Sequence, residues 1–151
     1  MKVLSRIVDL VLGGVFIYAG VLKVLDPVGF ANDIDNYKLL SWPVAVGLGF
    51  YLPWLEICCA LGVILRRAYP AALSIIAGLL LVFLAATIAA KLRGLDISCG
   101  CFGHASQHWN FSAHLAVDLV LLGLALVLLR NAWRGASHRP AEPSFIPGAP
   151  A

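Results

Sequence analysis

Charge is what this chain has least of. Asp, Glu, Lys and Arg together make up only 13% of its 151 residues, against 61% hydrophobic residues. The mean hydropathy of +0.90 is a value that soluble globular domains rarely reach. A soluble enzyme or soluble binding domain is therefore set aside. The chain has no Gly-rich nucleotide loop, no haem-attachment motif and no visible hydrolytic triad. A basic face is missing too. The formal net charge is +3, but the basic residues stand at the ends of apolar runs, so nucleic acid is not a predicted partner. No internal repeat is visible.

What is present is a set of four long apolar runs, at residues 7–24, 44–65, 71–90 and 111–129. Each is near the roughly 20 residues that cross a hydrocarbon core of about 30 Å. Away from water every backbone group must be satisfied within its own segment, so the runs are helices. The prediction is an all-α integral membrane protein, a four-helix bundle, with the lipid bilayer as its surroundings. Residues 1–131 form the transmembrane domain. Residues 132–151, rich in Pro, Gly, Ala and Ser, form a disordered tail. Lys2 and Arg6 ahead of the first run raise the possibility of a cleaved leader, but Asp9 and the lack of an Ala-x-Ala site favour a retained span. Small residues such as Gly13, Gly14, Gly20, Ala85 and Ala86 suit close helix packing.

Orientation follows from Lys and Arg placement. The N-terminus, the turn after the second run and the tail hold Lys2, Arg6, Arg66, Arg67, Arg130, Arg134 and Arg139, while the other two connections hold Lys23, Lys38, Lys91 and Arg93. The larger share marks the cytoplasmic side. Both termini are then expected in the cytoplasm, and in a bacterium this is an inner-membrane protein whose third connection faces the periplasm. The short turn Arg66 to Pro70 makes the second and third runs an antiparallel hairpin. Asp26 to Trp42 reads as a polar external loop with a solvated acidic face. Trp42, Trp109 and Trp133 read as interface anchors.

The third connection carries Cys99-Gly100-Cys101 within a glycine-punctuated stretch. Alternate residues of a bent chain can approach the roughly 4.4 to 6.8 Å Cα separation of a disulfide, and a bond closing so small a ring is strained and easily reduced. Cys99 and Cys101 are thus a candidate redox pair. Two other readings stay open: a static disulfide or inert thiols, and a metal site in which Cys99 and Cys101 join His104, with His108 close by. Cys58 and Cys59 lie about 22 Å into their span and point about 100° apart, so they read as buried free thiols acting as small apolar residues.

Ionisable residues inside spans are costly and tend to face the bundle interior. Four qualify: Lys23, Glu56, His114 and Asp118. Lys23 is near enough to its helix end to snorkel. Glu56 is too deep for that, and is either protonated or paired with a neighbouring helix. His114 and Asp118 are four apart on one helix face and read as a proton relay. Asp9 reads as a boundary residue. Oxidising a dithiol releases two protons with two electrons, and a quinone, lipid-soluble and a two-electron carrier, is the natural acceptor; no quinone motif is visible, and no cofactor is certain.

Gly94-Leu95-Asp96 followed by Cys99-Gly100-Cys101-Phe102-Gly103, between the third and fourth spans, resembles the MauE branch of the DoxX-like membrane proteins. Tyr18-Ala19-Gly20 with Lys23 and Asp26-Pro27, then Leu52-Pro53 with Leu55-Glu56, are similar to that superfamily's first-hairpin pattern. The likeness covers roughly residues 7–130. It implies a four-helix protein of methylamine metabolism that assists maturation of an exported, disulfide-rich client, the small subunit of methylamine dehydrogenase, beside a thioredoxin-like periplasmic partner. DoxX-like relatives are associated with quinone-linked sulfur oxidation. The expected role is that of a thiol–disulfide oxidoreductase. The alternatives are a non-catalytic scaffold for the thioredoxin-like partner and a metal-handling membrane protein.

Overall fold

The computed structural model describes residues 2–94 and 111–137. Five helices follow in order: α1 Lys2–Leu25, α2 Pro27–Asn36, α3 Trp42–Ile64, α4 Tyr69–Leu92 and α5 Phe111–Ser137. There is no strand among the described residues. Four of the helices are long and apolar enough to cross a membrane, over Val3–Leu25, Trp42–Ile64, Tyr69–Leu92 and Ser112–Arg134. At 1.5 Å per residue a 23-residue span reaches about 35 Å, enough for the hydrocarbon core with some tilt. The observed helices overrun the expected ones at most ends, because a helix continues past the hydrocarbon edge until a cap or proline stops it.

The outer surface is that of a protein dissolved in lipid. Leu10, Tyr18, Phe50, Trp54, Leu81, Val82, Val120 and Val127 point outward from the bundle. Inside, each helix contributes one seam. On α1 it is Asp9, Leu12, Phe16, Ala19 and Lys23, on α5 His114, Asp118, Leu121, Ala125 and Leu128, in both cases alternating steps of three and four. Leu12, Phe16, Ala60, Val63, Leu73, Ile76, Leu121 and Ala125 make up the apolar core between them. α1 packs most extensively on α3, and α4 on α5. Glycine permits the first of these contacts. A Cβ at Gly20 would sit 2.7 Å from the Ile57 side chain and 3.0 Å from the Pro53 carbonyl, so the backbones meet where no side chain intervenes.

The expected polar loop between the first two spans is instead the ten-residue helix α2. Asp26 caps it by accepting from the Gly29 N–H at 2.9 Å, and Pro27 occupies the first turn, where its missing N–H is harmless. Phe30 and Ala31 are buried, and Ala31 lies so close to Gly49 that a Cβ there would meet it at 2.9 Å. The acidic residues mask this helix in the sequence, because two buried side chains in ten are too few to dominate a hydropathy reading.

At the opposite end, residues 65–68 join α3 to α4 through a tight turn in which Arg66 and Ala68 hold positive φ, 54° and 49°. Arg66 donates to Asp9 Oδ2 from Nε at 3.0 Å and from Nη2 at 2.7 Å, and to Ser5 Oγ at 2.9 Å. Tyr69 donates its hydroxyl to Asp9 Oδ1 at 2.5 Å, and the Arg66 guanidinium lies over the Tyr69 ring. Asp9, read from the sequence as a boundary residue, is instead fully buried. It fastens the second hairpin to the start of α1.

Candidate functional site

Lys23 does not snorkel. Its side chain is 1% exposed, and Nζ donates to Glu56 Oε1 at 2.6 Å and Oε2 at 2.9 Å. Of the two sequence readings for Glu56, pairing with a neighbouring helix is the one observed. The cause is local geometry: Lys23 closes the α1 seam that begins at Asp9, and Gly20, one turn earlier, brings that seam onto α3 beside Pro53 and Ile57. An ammonium and a carboxylate removed from water need close mutual contact and further polar or aromatic support. Here the support is aromatic. Nζ lies 4.9 Å from the centre of the Phe30 ring and 4.8 Å from that of Phe83, distances at which a ring face attracts a cation.

All five helices meet at this point. Lys23 comes from α1, Phe30 from α2, Glu56 from α3 and Phe83 from α4. Asp118 of α5 completes the set, lining with Lys23, Glu56, Phe83 and Leu80 a cavity of about 20 Å³. That is room for about one water molecule. Asp118 is buried, as is His114 one turn nearer the start of α5. The expectation that the two share one inward face is met, and Asp118 is also brought to the Lys23–Glu56 pair, a meeting the sequence did not reveal. Three ionisable side chains from three helices thus border one water-sized space, with His114 between it and the start of α5. Such an arrangement can hold, accept and release a proton inside a membrane.

Cys99, Cys101 and His104 lie outside the described residues. Among the described residues no cluster of three or more His, Cys, Asp or Glu side chains is arranged to hold a metal ion. Cys58 and Cys59 are free thiols. Cys59 is buried as expected, but Cys58, about 100° round the helix from it, faces outward toward lipid. The aromatic walls Phe30 and Phe83 escaped the sequence reading. Phe30 sat in the presumed loop, and Phe83 looked like any apolar residue of an uncharged span.

Comparison with curated proteins and with solved structures gives no match. The sequence model of the family described as Methylamine utilisation protein MauE matches residues 1–131, a stretch that takes in α1 to α4 and most of α5. By that match, and by its four membrane-spanning helices, the chain belongs to the MauE family of membrane proteins.

Proposed function

We propose that this protein carries out thiol–disulfide exchange for the maturation of exported proteins, in the context of methylamine metabolism that the family's description names. In this reading Cys99 and Cys101 are the exchanging pair. A thioredoxin-like periplasmic protein passes electrons from the client to them, and the connection between α4 and α5 faces the periplasm from the inner membrane, with both termini in the cytoplasm. When the two thiols close to a disulfide they lose two electrons and two protons. A membrane-soluble acceptor of the quinone class takes up two electrons and two protons to become a quinol.

The observation that supports this reading most is the set of buried ionisable groups. A bundle that only needed to cross the bilayer has no use for Lys23, Glu56, Asp118 and His114 on its inner seams, and intramembrane charge marks function by default. His114 and Asp118 occupy the first two turns of α5, directly after the cysteine stretch in the chain. In this reading they receive the thiol protons and relay them toward Glu56. The Lys23 ammonium keeps a carboxylate in the bundle without leaving it an isolated charge.

The test is the redox state of Cys99 and Cys101 in native membranes, trapped by alkylation before and after mild reduction, in a Cys58→Ser, Cys59→Ser background. The expected result is a disulfide that opens with a thioredoxin-like reductant and closes again with an added quinone. Thiols that stay free under every condition would remove the exchange mechanism, and so would client maturation that survives Cys99→Ser. In Asp118→Asn, reoxidation should slow while reduction by the partner does not.

A further inference from the structure

An open groove of about 410 Å³ runs along the last turns of α5, lined by Leu126, Leu129, Arg130, Trp133 and Arg134. Steps of three and one residues put all five on one face of the helix. Arg130, Trp133 and Arg134 are exposed. The groove also has a direction. Leu126 and Leu129 lie within the span that ends at Arg134, and the two guanidiniums lie toward its edge. Apolar side chains inside the span and positive charge at its edge match a phospholipid read from acyl chain to phosphate. Asp118, early in α5, belongs to the Lys23 site. The finish of α5 is therefore at the other end of the bundle, with the start of α1 and the α3–α4 turn.

That end is short of negative charge. Arg6 donates to the Ile64 carbonyl at 2.9 Å, and Arg66 takes Asp9, whose other oxygen accepts from Tyr69. Among the described residues the remaining carboxylates are elsewhere, Asp26, Asp33 and Asp35 between α1 and α3, Glu56 and Asp118 at the Lys23 site. None of them pairs with Arg130 or Arg134. Two guanidiniums one helical turn apart can both reach a single phosphate, each offering paired N–H donors. From this arrangement we propose that the groove binds an anionic phospholipid of the phosphatidylglycerol class. Its phosphate sits between Arg130 and Arg134, and an acyl chain follows Leu129 and Leu126. A zwitterionic head group would bring an ammonium to an end whose one carboxylate is already engaged. The proposal rests neither on cysteine exchange nor on which side of the membrane this end faces.

The full chain, purified in neutral detergent, is mixed with equal amounts of phosphatidylglycerol and phosphatidylcholine of the same acyl chains and read by native mass spectrometry. The expected result is one phosphatidylglycerol retained per chain, favoured several-fold over phosphatidylcholine. Arg134→Gln should lower its retention about fivefold, and Arg130→Gln with Arg134→Gln should erase the preference. Arg67→Gln, which removes one charge from the same end outside the groove, should leave it unchanged. Glycerol phosphate, which carries the charge without a chain, should not displace the lipid. All three arginines are exposed, so the variants are compared at the parent's helix content. Equal retention of the two lipids by the parent chain overturns the proposal. So does an equal loss in Arg67→Gln and Arg134→Gln, the mark of a general charge effect, or displacement by glycerol phosphate at matched concentration, the mark of a free-anion site. A second copy of the chain held in place of lipid and released by Arg130→Gln overturns it as well.

Discussion

Among the described residues two ion pairs reach into the bundle, one toward each end, and they are built to different ends. At the α3–α4 turn, Asp9 is fully buried but its partner Arg66 has 42% of its side chain exposed, and the carboxylate is shared with Tyr69. That pair ties a turn with two positive-φ residues to the start of α1, a structural task. At the other site both Lys23 and Glu56 are 1% exposed. They share their cavity with Asp118, and aromatic faces flank the cation. An enclosed pair with another carboxylate beside it exceeds what packing requires, and that excess separates a candidate site from a clasp.

Breaking the enclosed pair should give the largest effect. Glu56→Ala removes the carboxylate that pairs with the Lys23 ammonium inside the bundle, and a loss of about 3–5 kcal/mol is expected, read as a lower melting temperature in detergent. Lys23→Met with Glu56→Leu removes both charges and should recover most of that stability, because a well-packed apolar replacement is often neutral. Exchange of Cys99 and Cys101 should stay impaired in the double variant. Recovery of both stability and exchange would reduce the pair to a second clasp.

Arg66→Ala at the other end should cost less, about 1–3 kcal/mol, since it strands a buried acceptor that still keeps Tyr69 and lies nearer to water. Its exchange activity should match that of the parent once measured below its melting temperature. A defect in exchange at equal folded fraction would contradict the structural assignment of that end. Tyr69→Phe, which removes a single hydrogen bond to a charged group, is expected to lower stability by about 1.5 kcal/mol. Smallest of all, Asp26→Ala should cost about 1 kcal/mol by uncapping α2. Because α2 carries Phe30, Asp26→Ala should also speed hydrogen exchange in α2 while leaving the turn at 65–68 unchanged.

The four spans, their order and the short second hairpin were legible because hydropathy over some 20 residues is a coarse signal that local detail cannot hide. Lys23, Glu56, His114 and Asp118 were legible as candidates for the same reason, since charge in an apolar run stands out. α2 was not, because its burial rests on Phe30 and Ala31 amid four polar residues, Asn32, Asp33, Asp35 and Asn36. Asp9 could have been found. It lies fourteen residues before Lys23 on the seam through Leu12, Phe16 and Ala19, a sum of three- and four-residue steps that puts both charges on one face. Cys58 was assigned inward with its neighbour only because an apolar span offers no contrast between its lipid face and its core face.

By itself the sequence determined that this is a helical membrane protein with four crossings, because each run must satisfy its own backbone in hydrocarbon. It also determined which side chains would be expensive there. Which of them meet was decided only by tertiary structure. In water the polar face of a helix announces its orientation, but in lipid both faces are apolar. The rotation of each helix is then set by contacts such as Gly20 against Pro53 and Gly49 against Ala31. Those close approaches turn Lys23 to Glu56, bring Phe30 and Phe83 over the ammonium, and leave Asp118 across one water-sized cavity from the pair.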